Sequence, residues 1–196
     1  MKLCVFQGTF NPIHIAHLKM AEYVTENFGI DKILFIPACR PPHKEYNEGM
    51  SIHRLNMVKL ALSSNSKFEV SDIEYKREGK SYTYLTIIEL YKKYNIEGKI
   101  NFIIGTDAFE YIESWYETDK LKELVDFIIF KRDNNFDEEK FEYLKEKGYK
   151  FKFVNMNFID ISSTELRKRI LNNQNFSDMV TKNVEEYIKK NELYKN

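Results

Sequence analysis

Short apolar runs alternate with longer stretches in which apolar residues return every three or four positions, and this alternation persists along the whole chain. The runs at residues 2–6, 32–38, 67–75, 99–107, 126–132 and 150–156 have the length and the branched or aromatic content of strands. The periodic segments at 14–28, 51–65, 82–95, 136–148, 161–174 and 180–194 predict helices, and 108–125 predicts a broken helix. Ser51 stands where an N-cap would open the second helix. In the third, Leu85, Ile88 and Tyr91 have the spacing of an inward stripe. Residues 38–49 follow Pro37, contain Pro41 and Pro42, show no period and predict an exposed loop. Strands separated by helices imply βαβ units with right-handed crossovers. The expected fold is therefore α/β: a doubly wound, mainly parallel sheet with a small C-terminal helical extension, in one domain over 1–196.

In such a sheet, ligands sit beyond the carboxyl ends of the strands. Four loops of unusual chemistry follow strands here: Gln7 to Pro12, the Pro41–Pro42 loop, Gly105-Thr106-Asp107, and Ile161-Ser162-Ser163-Thr164. Gly8 removes a Cβ where backbone could approach a ligand. The helix after it opens with His14 and His17, three positions apart and so on one face. Beside a helix N-terminus two imidazoles suit an anion, although one cap and one surface histidine would read the same way. Ser162, Ser163, Thr164 and Glu165 mark a second helix start, with Arg167 one turn in. Capping alone explains that signature, but a guanidinium fork there suits a polyphosphate.

Composition narrows the classes. The net charge is +0, from 30 basic and 30 acidic residues, which argues against a bulk nucleic-acid or membrane-surface binder. There is no apolar run of about 18 residues, hence no expected membrane span, and the N-terminus lacks the pattern of a secretory signal. Cys4 and Cys39 have no metal-type spacing and read as reduced thiols of a cytoplasmic protein. No internal repeat is present, and the charge-rich stretch 133–147 fits a solvated helix. The oligomeric state stays open, a homo-oligomer included.

The stretch from Gly8 to His17, with Ile161 to Arg167, resembles the HxGH and ISSTxxR motifs of the nucleotidyltransferase superfamily. Pro41-Pro42-His43-Lys44, Arg54, Ser81-Tyr82-Thr83-Tyr84, Ile103 to Asp107, Ser114-Trp115-Tyr116 and the tail from Val184 to Tyr194 are similar to the bacterial nicotinate-nucleotide adenylyltransferase family. The resemblance spans essentially the whole chain. It implies the Rossmann-like nucleotidyltransferase fold and attack of the nicotinate mononucleotide phosphate on the α-phosphate of ATP. Deamido-NAD and pyrophosphate result, within NAD biosynthesis. It places the backbone of Gly8, Thr9 and Phe10 at the α-phosphate. His14 and His17 fall on the ATP phosphates, and Ser163, Thr164 and Arg167 on the β- and γ-phosphates. Lys44 matches a loop lysine over the phosphates, and Gly105 and Asp107 match ribose-binding positions. Mg²⁺ is expected on the phosphates, with no protein metal ligands. Trp115 would stack on the pyridine ring, although alone it fits a core position. Thr83 and Tyr116 would meet the nicotinate carboxylate, and Arg132 the mononucleotide phosphate. Gln7, Asn11, Ile13 and Ala16 depart from the family's usual glycine, aspartate, proline and glycine.

Two other readings compete. Phosphopantetheine adenylyltransferase shares the phosphate motifs but not the Ser-Tyr-Thr and tryptophan set. A nucleotide-sensing module would bind ATP or a dinucleotide without turnover, and would have no need of His14, His17 and Arg167 together.

Overall fold

Six strands, β1 (Leu3–Gly8), β2 (Lys32–Pro37), β3 (Phe68–Val70), β4 (Ile100–Gly105), β5 (Val125–Phe130) and β6 (Phe151–Val154), pair in the order β3-β2-β1-β4-β5-β6. Every pairing is parallel. This is a computed structural model, and it describes residues 1–43, 47–63, 65–131, 137–154, 156 and 159–195. The long helices are α1 (Ile15–Asn27), α2 (Glu48–Ala61), α3 (Thr83–Lys93), α7 (Ser163–Leu171) and α8 (Lys182–Lys190). Between β4 and β6 lie three short ones, α4 (Thr106–Phe109), α5 (Thr118–Leu121) and α6 (Glu142–Glu146).

Alternate strand residues feed two apolar layers, as the period of two requires. Cys4, Phe6, Ile33, Phe35, Ile103 and Ile128 face α1, α2, α7 and α8. Leu3, Val5, Leu34, Ile36, Phe102 and Ile129 face α3, α4, α5 and α6. Burial on both faces explains why the strands read as unbroken apolar runs rather than as alternation. The expected C-terminal helical extension is α8, and it packs on the body: Val184 and Ile188 join the first layer, and the Tyr187 hydroxyl meets His53 Nδ1 at 2.9 Å and Asn56 Nδ2 at 3.0 Å on α2.

Three sequence expectations are corrected. The strand expected over 67–75 leaves the sheet at Val70 and ends in a 3₁₀ turn, Ile73–Tyr75, which buries the carboxylate of Glu74. Ser51 does not cap α2; Asn47 does, its side chain accepting from Met50 N–H at 2.9 Å. Ser51 is buried one turn inside, where its hydroxyl reaches the Cys39 carbonyl. The buried stripe of α3 is Thr86, Ile87 and Leu90: the last two pack in the core and Thr86 donates to Glu74. Among the described residues no helix is long and apolar enough to cross a membrane.

The chain order along the sheet reverses at β1, whose neighbours are β2 and β4. The crevice beyond the carboxyl ends of β1 and β4 is the switch point at which open α/β sheets hold ligands.

Candidate active site

The turn after β1 is built by donors from distant parts of the chain. The Gly8 carbonyl accepts from Ala38 N–H at 2.8 Å. Arg54, buried on α2, donates to the Thr9 and Ala38 carbonyls at 2.7 Å each and to Cys39 O at 3.2 Å. Arg167 Nη1 donates to Asn11 O at 2.7 Å, and Ser163 Oγ donates to Pro12 O at 2.9 Å. In a trans peptide the N–H points opposite to the C=O. With the Gly8 and Thr9 carbonyls held on the Ala38 and Arg54 side, the N–H groups of Thr9 and Phe10 turn the other way. Phe10 adopts φ +46, a costly conformation for a residue with a Cβ, and its buried ring holds it there against Phe6 and His17. A Cβ on Gly8 would come within 3.2 Å of that ring, which would have to give by a few tenths of an ångström to admit it.

Arg54 forms no ion pair among the described residues; three carbonyls satisfy its fork. A buried guanidinium left with its charge uncompensated raises the positive potential of the turn beside it.

His14 caps α1 and His17 lies one turn in, with ring centroids 3.7 Å apart. The backbone N–H of His14 donates to His17 Nδ1 at 3.2 Å. An accepting Nδ1 places the ring proton on Nε2, so His17 presents a donor at its outer edge. The first turn of α1 carries no acidic residue to compete with an anion.

Helix α7 arrives at the same place from the far end of the chain. Ser162 is its cap and accepts from Glu165 N–H at 3.1 Å. Ser163 gives its hydroxyl to Pro12, so an anion would meet its N–H rather than its side chain. The second nitrogen of Arg167 lies 3.4 Å from Thr164 Oγ1. The tail closes the back: Tyr194 OH donates to Asn11 Oδ1 at 2.8 Å. Burial pushes the Tyr194 phenol well up, although Arg167 and Arg54 nearby oppose the shift.

These groups surround a cavity of about 440 Å³ lined by Gly8, Thr9, Phe10, His14, His17, Gly105, Asp107, Ser163, Thr164 and Arg167. Every described residue expected on the ATP side is therefore in one place. A Cβ on Gly105 would meet nothing within 4 Å, so it faces open space rather than protein. A second cavity, of about 770 Å³, shares Gly8, Thr9 and Ala108 with the first. Its walls include Thr83, Trp115 and Tyr116, the three described residues expected on the acceptor side. Trp115 does both things weighed from sequence: one side packs edge-on against Phe102 with centroids 6.2 Å apart, and the residue also lines the cavity. Thr83 opens α3, so its N–H has no partner in a preceding turn. Lys44 and Arg132 lie outside the described residues.

Sequence reasoning missed several lining residues. Tyr82 stacks on Tyr116 with centroids 4.5 Å apart, and Tyr111 is 67% exposed at the cavity mouth. Tyr82 stood within the Ser81–Tyr84 stretch without a role of its own, and Tyr111 was one tyrosine among many. Lys131, paired with Glu138 at 2.9 Å, lines the first cavity; its place directly after β5 was the available signal. His43, expected on the surface or in a loop, is exposed yet borders the second cavity. Among the described residues no group of three or more His, Cys, Asp or Glu side chains could hold a metal ion.

A doubly wound sheet with two anion-ready helix starts facing one crevice defines a nucleotidyltransferase-type domain, and the cytidylyltransferase-like family model matches residues 5–169. Two curated relatives, each described as a "Probable nicotinate-nucleotide adenylyltransferase", come from Fusobacterium nucleatum and Bacillus pumilus. The first is 38% identical, covering 97% of this chain and 98% of the relative; the second is 39% identical, covering 98% of each. A solved structure, Plasmodium falciparum nicotinic acid mononucleotide adenylyltransferase complexed with NaAD, is 26% identical with a TM-score of 0.79, covering 98% of this chain and 97% of that one. The chain belongs to the nicotinate-nucleotide adenylyltransferase family.

Proposed function

We propose that this protein transfers the adenylyl group of ATP to nicotinate mononucleotide, forming deamido-NAD and releasing pyrophosphate. The observation that carries the reading is the pair of abutting cavities on one backbone turn, one ringed by anion donors and the other by aromatic rings and a helix start. A dinucleotide needs both halves, and the Plasmodium relative is complexed with one, NaAD.

The acceptor phosphate is ionised near neutral pH and needs no general base. Catalysis then consists of holding two phosphates in line and offsetting charge. The N–H groups of Thr9 and Phe10 would face the α-phosphate. His17 would donate from Nε2 as charge develops, with His14 stacked beside it. The start of α7, with Thr164 and Arg167, would hold the β- and γ-phosphates and the departing pyrophosphate. Gly105 and Asp107 would receive the adenosine ribose, the carboxylate accepting from a hydroxyl. Trp115 would stack on the pyridine ring, and N–H groups at Thr83 and Tyr116 would meet its carboxylate. An amide satisfies two such donors less well, which gives a preference for the acid.

The donor set fits a divalent cation brought by the nucleotide rather than one caged by protein: Asp107 is the carboxylate lining the first cavity among the described residues. Mg²⁺ on the phosphates would neutralise their oxygens. The protein's own contribution is N–H, imidazole and guanidinium donors placed around them. Pyrophosphate release with ATP, Mg²⁺ and each of three acceptors tests the reading. Turnover should be fast with nicotinate mononucleotide, slower with nicotinamide mononucleotide and absent with phosphopantetheine. Release with phosphopantetheine alone, or with none, would reject it.

A further inference from the structure

Glu74 belongs to no motif, yet it is 2% exposed and lies under the crevice. Its Oε1 accepts from Gln7 Nε2 at 2.6 Å and from Thr86 Oγ1 at 2.6 Å. Its Oε2 accepts from Cys39 N–H at 3.3 Å, and Ser81 adds a side-chain hydrogen bond. Burial raises this carboxyl above the usual range, while those bonds and the charge of Arg77 work against the rise. The four partners belong to three boundaries of the two cavities. Gln7 precedes Gly8 on β1. Cys39 follows Ala38, at the start of the loop that supplies Pro41 and Pro42 to one wall of the second cavity. Ser81 and Thr86 flank Tyr82 and Thr83 on another wall. Ser81 also zips the two walls together: its N–H donates to Arg40 O, and its Oγ accepts from Arg40 N–H, both at 2.9 Å.

The Gln7 link marks the bridge as more than filler. Its Oε1 is buried with no partner, so the amide leaves a carbonyl unsatisfied while its NH₂ holds Glu74.

We propose that Glu74 is a positioning residue for the acceptor half of the reaction, fixing the walls of the second cavity relative to the phosphate turn. The proposal rests on reading that cavity as the nicotinate mononucleotide site. Glu74→Gln keeps the shape but sets an NH₂ group against at least one of the donors. It should raise KM for nicotinate mononucleotide tenfold or more and lower kcat, with KM for ATP changed less than twofold. Thr86→Val, which withdraws one donor and leaves the carboxylate, should move the same constant in the same direction by less. Gln7→Met should do likewise. Wild-type turnover on nicotinate mononucleotide checks the underlying reading separately: its absence removes that reading. With wild type active, unchanged constants in Glu74→Gln overturn the proposal. So does a loss shared equally by both substrates and tracking a fall in Tm across the three variants, since that is a purely structural role.

Discussion

His17 receives a backbone hydrogen bond on Nδ1, so its function rests on which nitrogen keeps the proton. His17→Ala removes the outward donor together with the ring's edge contacts to Phe6 and Phe10. Its kcat should fall by about 10²–10³, on the scale of ~2.7–4 kcal/mol for losing one preorganised donor, with the urea midpoint measured alongside to separate the loss of packing. An unchanged kcat would remove His17 from the phosphate site. Trp115 offers a second reading at this scale. One side rests on Phe102 and the residue borders the second cavity. It is the chain's single tryptophan, so nicotinate mononucleotide should quench the intrinsic indole emission on titration without ATP. Full emission at saturating ligand would return the ring to the core. These residues were legible because chemistry and spacing coincided: a glycine turn, two imidazoles on one face, a cap with an arginine one turn later. Arg54 and Glu74 carried no such mark as buried groups. A buried charge looks like any surface charge in sequence until tertiary contacts supply three carbonyls for one and several donors for the other.

At the level of elements, α7 combines its own capping with a hold on the turn after β1. Ser162 satisfies one of the free N–H groups at its start, and Ser163 spends its hydroxyl on Pro12. Ser162→Ala should cost about 1 kcal/mol of stability, the usual value of an N-cap, read as a lower urea midpoint with KM for both substrates little altered. Strands and long helices were readable from apolar periods alone. The misreadings share a cause. Ser51 looked like a cap because serine suits caps, but the loop before it extends the helix to Asn47. Residues 67–75 looked like one strand, but the sheet edge offers β3 pairing only as far as Val70 opposite Phe35, after which the chain must turn. In α3 the inward face is Ile87 and Leu90 in the core, with Thr86 beside them on Glu74, rather than Leu85, Ile88 and Tyr91. Pattern reports what each segment prefers; the neighbours it packs against decide where it stops and how it is rotated.

For the whole molecule, the crevice location followed from topology: alternation in the sequence implied a doubly wound sheet, and the observed strand order puts the switch point at β1 and β4. The tail was less legible. Its likeness to the family said that it belongs, but only the folded chain shows Tyr194 bonded to Asn11 behind the phosphate turn. Tyr194→Phe deletes one oxygen and removes the bond to a half-buried acceptor, a loss of about 1 kcal/mol. KM for ATP should rise several-fold while KM for nicotinate mononucleotide stays put; equal changes in both would contradict a nucleotide-side role. The bonds from Ser163 to Pro12 and from Arg167 to Asn11 join residues 151 and 156 positions apart. During synthesis the glycine turn leaves the ribosome long before the helix that holds its carbonyls. Those two carbonyls therefore wait through most of translation for partners, and the turn is completed only when that late helix emerges and docks.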